Sequence, residues 1–437
     1  MKVLYKIIIV LYLIVGIVPT FESIDKVITQ WLYLNFLNTI LLLIFLIIKI
    51  PITKYFLNKT TILFFCLFIW SAITAFFAIN SVESIVVLSQ LFAIVLGFIV
   101  LTICVSKIDK PFNFISNTIS IYLIIELIAI YLPFINDIEL TQIFSRSSLF
   151  LGFAANVNIT AFSIIYKVPF FIYSLIQLKR VNYIIMIITS FVLFSLIIFV
   201  SGTLNSTRGA ILTYSSFVPI LFMIGLVIYF KSKQIKFLIV SLTYLSSFFL
   251  SFPFNSFLSD SLGRTESNIT ERISSLSALV DNEEKRDGSL NNRINYYSQA
   301  VNFIVKNPIF GTGIGNWKIK SIDTDKDNIV GYVLPYHVHN DYLEIGAEIG
   351  IIGLGIYLWI LLIGFRDPVI NFLKIIFTKE KLDKKYLEWI CLSMFVFVFF
   401  IDSNINFPFH RPIVYINVMV LLAYLSSKKI NEISYEK

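Results

Sequence analysis

The sequence predicts an all-α polytopic membrane protein, with about twelve transmembrane helices and one long helical extracytoplasmic loop. Of its 437 residues, 57% are hydrophobic and 14% are charged, and 43 are phenylalanine. A soluble domain carries roughly 45–50% apolar and about 25% charged residues, so one soluble core cannot absorb this apolar surface. The apolar runs are continuous instead of alternating, which excludes an outer-membrane barrel. The same composition excludes a soluble enzyme, a disordered chain and a disulfide scaffold.

Apolar runs long enough for membrane helices recur along the chain, since a transmembrane helix needs ~20 apolar residues. They lie near 3–20, 30–48, 61–79, 83–105, 112–133, 161–178, 182–200, 210–230, 236–254, 346–365, 387–402 and 412–427. The first run lacks a small-residue cleavage site, so we expect it to be a retained span. Three cysteines fall in apolar runs and are expected to be small core residues: Cys66, Cys104 and Cys391. We predict a single integral membrane domain over 1–437, with 255–345 as its large loop.

Lysine and arginine set the predicted orientation, because short cytoplasmic loops are enriched in both. If the N-terminus is cytoplasmic, the short inner segments contain lysine clusters such as Lys49, Lys54, Lys59, Lys231, Lys233, Lys236, Lys428 and Lys429. The short outer loops then contain Lys26, Arg146, Arg208 and Arg411. We therefore predict that both termini are cytoplasmic and that the long loop lies outside. The basic residues of the predicted cytoplasmic segments account for most of the net charge of +8. The charge therefore does not indicate a nucleic-acid partner.

Most arginines lie on the outer side in this topology, namely Arg146, Arg208, Arg264, Arg272, Arg286, Arg293 and Arg411. All three histidines, His337, His339 and His410, are outside as well. A guanidinium group is a planar fork that fits carboxylate and phosphate groups, whereas lysine is a hydrated point charge. Ordinary surface arginine is the alternative explanation. The coincidence with the histidines favours chemistry that faces outward.

The long loop contains two amphipathic helix patterns. Ile273, Leu276 and Val280 recur on one face of the first, and Ile294, Tyr297, Val301 and Ile304 on one face of the second. Pro308 is expected to end the second helix. The glycines at 311, 313 and 315 do not have dinucleotide-loop spacing and follow no strand. We expect a tight turn there that brings backbone amides near a ligand.

Three candidate site residues stand where helices are expected to begin. Arg208 precedes the span 210–230, Arg293 opens the second loop helix, and His339 precedes the span 346–365. A cation at a helix N-terminus opposes the helix dipole, at a cost of about 0.3–1 kcal/mol. An anion between the arginine and the helix amides would remove that conflict, because helix N-termini bind phosphate. Pairing of the arginines with local carboxylates, such as Glu266 or Glu271, is the alternative.

A metal site is the competing interpretation of the histidines. His337, Asp341 and Glu344 would share one helical face, with His339 pointing elsewhere. No further His or Cys lies nearby in the sequence to complete the ligand set, so we expect no metal and no other cofactor. His410 lies between Pro408 and Pro412, where we expect a rigid outer turn that contributes little to activity.

Several of these residues form a pattern that resembles the O-antigen ligase family of bacterial membrane glycosyltransferases. His339 and Asn340 are followed, after nine residues, by Gly350 and Gly353, as in the family's His-Asn, nine residues, Gly-x-x-Gly motif. Arg208 at the start of a span is similar, as is an Arg293 helix that leads to Pro308, Gly311 and Gly313. Asn156 and Asn158 before a span also fit. The resemblance covers about 150 to 365.

The resemblance implies a metal-independent glycosyltransferase in the bacterial cytoplasmic (inner) membrane, with its active site outside. The donor would be a glycan on undecaprenyl diphosphate, and the acceptor a hydroxyl of a lipid A core or of another glycan. By the same resemblance, Arg208 and Arg293 would bind the diphosphate and His339 would take the acceptor's proton. Asn340, His337 and Arg272 complete the predicted substrate-binding set. Membrane lipid would contact the protein along its transmembrane helices.

Two alternatives remain open. Leu354 stands where many ligases have Ser or Thr, which keeps an O-antigen or exopolysaccharide polymerase of the same family as an alternative. A transporter or lipid flippase is the alternative from a different class, because about twelve spans suit one. Charged residues near the middle of spans are few, however: Glu126, Lys167 and Glu348. The sequence assigns no role to Glu126 or Lys167.

The predicted topology is tested by reporter fusions. Fusions after Lys179, Lys233 and Lys379 should report the cytoplasm, and a fusion at Asp281 should report the outside, because the basic residues cluster on one side. A cytoplasmic signal at Asp281 would place the histidines on the face opposite to the one that an outer-leaflet donor requires.

Overall fold

The computed structural model describes residues 1–19, 26–136, 152–154, 156–178, 182–199, 208–261, 288–325, 336–378, 382 and 385–435. Regular secondary structure in these ranges is entirely helical. The helices are α1 (Lys2–Leu13), α2 (Lys26–Ile47), α3 (Thr53–Phe56), α4 (Lys59–Ala75), α5 (Ser81–Ser106), α6 (Pro111–Asn136), α7 (Val157–Gln177), α8 (Tyr183–Ile198), α9 (Arg208–Ser232), α10 (Ile235–Ser261), α11 (Gly288–Lys306), α12 (Trp317–Asp325), α13 (Asp341–Phe377), α14 (Tyr386–Ile405) and α15 (Pro412–Tyr435).

The prediction of an all-α polytopic membrane protein is confirmed. Within the described ranges, nine helices are long and apolar enough to cross a membrane: α2, α5, α6, α7, α9, α10, α13, α14 and α15. Helices α4 and α8 are shorter and also apolar. Every apolar run predicted from the sequence overlaps one of these helices or α1. The chain is therefore a multi-pass membrane protein.

Asparagine side chains begin four of these helices. Asn58, Asn80, Asn156 and Asn182 each accept a hydrogen bond from a backbone amide in the first turn of α4, α5, α7 and α8. Such a cap satisfies an amide that has no partner within the helix and stabilises by about 1 kcal/mol. Asn156, part of the family resemblance, thus has a structural role at the start of α7.

The chain divides into two compact units, described here separately. Unit 1 consists of Met1–Pro111, Asp287–Arg366 and Asp402–Lys437. Its central helix is α5, which packs against α2, α4 and α15. Gly97 permits close packing there, because a Cβ atom at that position would lie 2.9 Å from Met419 Cε. Asn38 of α2 donates from Nδ2 to the Ala93 carbonyl of α5 over 2.8 Å, which satisfies a buried amide.

Unit 2 consists of Phe112–Arg286 and Asp367–Ile401. Helix α10 packs against α8 and α9, and α7 is almost entirely buried. A fully buried ion pair joins α6 to α7, with Lys167 Nζ 2.7 Å from Glu126 Oε2. Ser163 Oγ also donates to Glu126 Oε1 over 2.9 Å. Each charge is compensated where it is buried, as a charge inside a membrane protein must be.

Helix α13 is broken near its N-terminal end, and the break positions the rest of unit 1. Gly350 has φ +70° and ψ −179°, which interrupts the helical hydrogen bonds. The Ile351 amide donates to the Pro308 carbonyl over 2.8 Å, and the Ala347 carbonyl accepts from the Thr312 amide over 2.9 Å. The Ile349 carbonyl accepts from the Trp70 indole over 2.8 Å. The backbone groups released by the break are thus satisfied by the 308–312 segment and by α4.

The second loop helix predicted from the sequence is confirmed as α11, which ends at Lys306 as Pro308 predicts. The first one, with Ile273, Leu276 and Val280, lies outside the described residues. The short helix α12 was not predicted. Helix α13 extends beyond the predicted span 346–365 at both ends and continues through Pro368.

The tight turn after α11 is confirmed, with positive φ at Gly311, Gly313 and Gly315. Its purpose differs from the one expected. A Cβ atom at Gly311 would lie 2.4 Å from the Ala347 carbonyl, and one at Gly313 would lie 2.6 Å from Ala78. The glycines therefore let the turn approach neighbouring helices, and the Thr312 amide bonds to α13 instead of being left for a ligand.

We expect Gly350→Ala to destabilise the protein severely. Its backbone conformation is essentially restricted to glycine, at a cost of about 1–3 kcal/mol for other residues. In addition, the new Cβ atom would lie 1.9 Å from the Ile309 carbonyl oxygen, so the turn would have to move. The control is Gly355→Ala on the same helix, where a Cβ atom meets nothing within 4 Å. Thermal unfolding in detergent should separate the two variants, and equal melting temperatures would contradict this account of the break.

Candidate functional site

The candidate site is built where α13 begins in unit 1. Asn340 caps this helix, since its Oδ1 accepts from the Leu343 amide over 3.0 Å. Its Nδ2 donates to the Asn404 carbonyl over 3.2 Å. The Tyr297 hydroxyl lies 3.0 Å from the carbonyl oxygens of both His339 and Asn404. The segment 339–340 is thus held by α11 on one side and by the end of α14 on the other.

His339 has an unusual conformation and an unusual environment. Its φ of +61° lies in the left-handed region, which costs a non-glycine residue about 1–2 kcal/mol. Within the described residues, its Nδ1 atom is buried and has no hydrogen-bond partner. Buried polar atoms without a partner are rare, so this one needs an explanation. A bound ligand that donates a hydrogen bond to this nitrogen would provide the missing partner.

Arg293 is the positive charge with the largest effect on His339, ahead of Arg411. Burial lowers the pKa of His339 first, and the charge of Arg293 lowers it further, to about 4. The imidazole is therefore neutral near pH 7. The sequence placed Arg293 at the start of its helix, which is wrong because α11 begins at Gly288. Its position in the second turn puts it one turn before Tyr297, beside the 339–340 segment.

For the other two arginines predicted to bind substrate, the structure describes only the backbone of Arg208. Arg208 begins α9, as the sequence predicted, and that helix belongs to unit 2. Its side chain and the whole of Arg272 lie outside the described residues. Their predicted contacts with a diphosphate stay predictions.

A buried carboxylate organises the histidines at the start of α13. Glu344 Oε1 lies 2.7 Å from His337 Nδ1 and 3.3 Å from His410 Nε2. Its Oε2 accepts from the Val338 amide over 2.9 Å. Because a carboxylate only accepts, the two imidazole nitrogens carry the hydrogens. Glu344 therefore joins the loop before α13 to the turn before α15.

His410 is more central than the sequence indicated. The predicted turn is confirmed as a 3₁₀ turn, Pro408–His410, and its outer location stays a prediction. The turn is fastened to α13, since the Phe409 amide donates to Asp341 Oδ2 over 3.1 Å. The argument that no further histidine lies near His337 is therefore wrong. The contact joins residues 66 positions apart, 344 to 410, and no local pattern reveals it.

His337 and His410, which both contact Glu344, differ in pKa. Burial alone would lower the pKa of His410, but its hydrogen bond to Glu344 and the charge of that group outweigh burial and raise it to about 9. Burial lowers the pKa of His337 despite the attraction of Glu344. At neutral pH, His410 is an imidazolium and His337 is neutral with its hydrogen on Nδ1.

Phe407 lies under both candidate histidines. The His337 ring stacks on it at 4.0 Å with an interplanar angle of 14°, and the His339 ring lies 5.2 Å away, edge to face. The Arg411 guanidinium lies over the same ring, 4.6 Å from its centroid. The sequence did not identify Phe407 or Arg411 as members of this site, or Glu344 as the group that orients the histidines. The available signal for Phe407 was its place directly before Pro408, in the turn that contains His410.

His337, Glu344 and His410 also form a potential metal-ligand set, with ligand atoms within 4.8 Å of one another. Two imidazoles and one carboxylate are ligands that zinc uses in proteins. The distances of 2.7 and 3.3 Å are nevertheless those of direct hydrogen bonds, which satisfy all three groups. Metal independence stays a prediction.

The fold and this cluster define a multi-pass membrane protein with a histidine–arginine site at the start of a broken span. Residues 189–358, which include Arg208, α11 and the start of α13, match the family model described as O-Antigen ligase. A Rickettsia conorii protein, provisionally named a polysaccharide ligase, is 32% identical over 110 residues, or 24% of this chain and 25% of that protein. The predicted resemblance to the O-antigen ligase family is thus confirmed. The match spans a quarter of the relative's length.

We expect His410 to stay protonated through neutral pH and to lose its proton near pH 9, because it is paired with Glu344. Glu344→Gln should lower the pKa of His410, since burial is then opposed only by the weaker effects of Glu348 and Asp341. Nitrogen-15 NMR of histidine-labelled protein in detergent measures this, with single His→Gln variants for assignment. A wild-type His410 that titrates at or below pH 6.5 would show that the ion pair does not form.

Proposed function

We propose that this protein is a glycosyltransferase of the O-antigen ligase type. It transfers a glycan from undecaprenyl diphosphate to an acceptor hydroxyl at the outer face of the bacterial inner membrane, without a metal. The observation that carries this proposal is the unpartnered His339 Nδ1 in the electrostatic field of Arg293. The family match over 189–358 supports the reaction class.

His339 is the proposed base. A neutral imidazole accepts a proton, and a positioned base of this kind contributes about 10²–10⁴ in rate. Burial and, after it, the charge of Arg293 lower its pKa and make it a weak base in the absence of donor. A bound diphosphate offsets the charge of Arg293 and so raises the basicity of His339. The base thus becomes effective when the donor is in place.

Arg293 is proposed to bind the diphosphate and to stabilise it as it leaves. The acceptor oxygen forms a bond to the anomeric carbon of the glycan while the bond from that carbon to the diphosphate oxygen breaks. The electron pair leaves with undecaprenyl diphosphate, and the acceptor proton passes to His339. A fixed guanidinium group stabilises the charge that develops on the leaving oxygen. The family resemblance assigns Arg208 to the same donor, and Arg272 is proposed as a further substrate-binding residue.

Asn340 and His337 complete the proposed substrate set. Both side-chain ends of Asn340 already bond to the backbone, so it acts by holding His339 in place. The outward orientation and the cytoplasmic termini follow from the distribution of lysine and arginine. The acceptor is a lipid A core in a ligase.

A polymerase of the same family is the second candidate, and Leu354 favours it. This residue follows Gly353 at the position where many ligases have a hydroxyl side chain. The chemistry at His339 and Arg293 is unchanged in a polymerase, and the acceptor is a growing glycan. The surface glycan of a deletion strain separates the two, since unattached long chains indicate a ligase and single repeat units a polymerase.

We expect His339→Ala to lower glycan transfer by about 10²–10⁴ while the protein still folds and inserts. Arg293→Lys should fail nearly as badly as Arg293→Ala, because lysine keeps the charge but loses the bidentate fork. The matched control is Lys306→Ala, an exposed cation on the same helix. Transfer is measured in reconstituted membranes at equal protein level.

Three results would contradict the proposal. Near-wild-type activity of Arg293→Lys would show that simple charge suffices. Full activity of His339→Ala would show that His339 is not the base. Loss of activity with EDTA, restored by Zn²⁺, would show that the cluster of His337, Glu344 and His410 binds a metal that activity requires.

A further inference from the structure

Glu344 determines which nitrogen of His337 is available to a ligand. Its side chain is 2% exposed, and its Oε1 accepts from His337 Nδ1 over 2.7 Å. The neutral ring with its hydrogen on Nδ1 has an unprotonated Nε2, which is a hydrogen-bond acceptor. A carboxylate that fixes the tautomer of a histidine in this way is a common device in sites where the other nitrogen is used.

The His337 ring is held in place but not enclosed. Phe407 covers one face at 4.0 Å, and Glu344 prevents rotation about the side-chain bonds. The side chain is nevertheless 29% exposed. A ring that is fixed on two sides and open on part of its surface can present Nε2 to a molecule that enters the site.

The electrostatic surroundings divide the site into two sides. The main charged neighbour of His339 is Arg293, whereas that of His337 is Glu344. The charge of Glu344 is compensated by the protonated His410, so this pair neither attracts nor repels an anion strongly, whereas the Arg293 guanidinium group attracts a diphosphate. Arg411 lies near both rings and does not distinguish the two sides. The His337 side therefore suits a neutral hydroxylated group, while the His339 side suits the anion. Both rings contact Phe407, so the two sides are adjacent.

We propose that His337 Nε2, oriented by Glu344, accepts a hydrogen bond from a second hydroxyl of the acceptor sugar, next to the hydroxyl that attacks. This inference rests on the proposed function. His337 is then a specificity-determining residue, Glu344 is a positioning residue that acts through it, and His410 compensates the buried charge of Glu344. The reacting proton still goes to His339. The acceptor must therefore carry neighbouring hydroxyl groups, which a sugar does.

Two replacements of His337 distinguish this role from a structural one. In His337→Asn the side-chain amide nitrogen lies near the position of Nδ1, so the bond to Glu344 is kept and the Nε2 acceptor is lost. In His337→Gln the amide lies near the position of Nε2 instead. We expect His337→Asn to raise the KM for the acceptor about tenfold and His337→Gln to raise it less, with the donor KM unchanged in both. A purely structural role reverses that order.

A second measurement tests Glu344. Glu344→Gln should raise the acceptor KM about tenfold in the wild-type background and hardly at all in His337→Asn, because it acts through His337. The control is Glu348→Gln, which removes another buried carboxylate of α13, one that accepts from the Trp317 amide over 3.2 Å. It should lower the melting temperature and leave the acceptor KM unchanged.

The assay uses the full chain in proteoliposomes, with undecaprenyl-diphosphate-linked glycan as donor and purified lipid A–core oligosaccharide as acceptor. If the wild-type protein transfers no glycan to this acceptor or to free glycan, the proposed function fails. If it transfers glycan but His337→Asn is milder than His337→Gln, or the effects of Glu344→Gln and His337→Asn multiply, this inference alone is overturned.

Discussion

The rest of unit 1 depends on how the broken backbone of α13 is satisfied. In a helix long and apolar enough to cross a membrane, a carbonyl or amide without a partner costs several kcal/mol. Ile351 and Ala347 would normally bond to each other across one turn. Here each bonds instead to the segment after α11, through Pro308 and Thr312. The requirement to satisfy these groups fastens α11 against α13, and α11 carries Arg293 and Tyr297 to the site.

The two motifs of the family resemblance gain a physical relation from this arrangement. Gly350 belongs to the motif that begins at His339, and Gly311 to the motif that follows Arg293. Each lacks a side chain where the backbone of the other segment passes, with Ile309 against Gly350 and Ala347 against Gly311. Histidine and arginine therefore reach the same region because the glycines behind them allow close approach. The positions of His339 and Arg293 therefore depend on the packing of Gly350 and Gly311.

The sequence was informative about elements and less so about contacts. Continuous apolar runs predicted each membrane helix, because burial in lipid demands about the same composition everywhere along a span. Pro308 and the periodicity before it predicted α11. Helix α12 was missed because its short polar sequence has no such pattern, and α13 was predicted too short because Pro368 is normally a helix end. At the site, His339 and Asn340 could be identified from local order. The pairing of Glu344 with His410 could not, since it depends on how the turn before α15 folds back onto α13.

The turn between α11 and α12 has a further consequence for how this chain can vary. Within eight residues, Pro308 and Thr312 bond to α13, Gly313 passes Ala78, and Gly315 passes the carbonyl of Glu83. Asn316 then donates to the Asn80 carbonyl over 3.2 Å. These contacts fall on two separate pieces of the chain, 78–83 and 347–351, so no single residue can be added or removed without shifting the others out of register. Loops on a protein surface usually tolerate changes in length. We therefore expect natural variants of this turn to differ in their side chains but to keep the same number of residues.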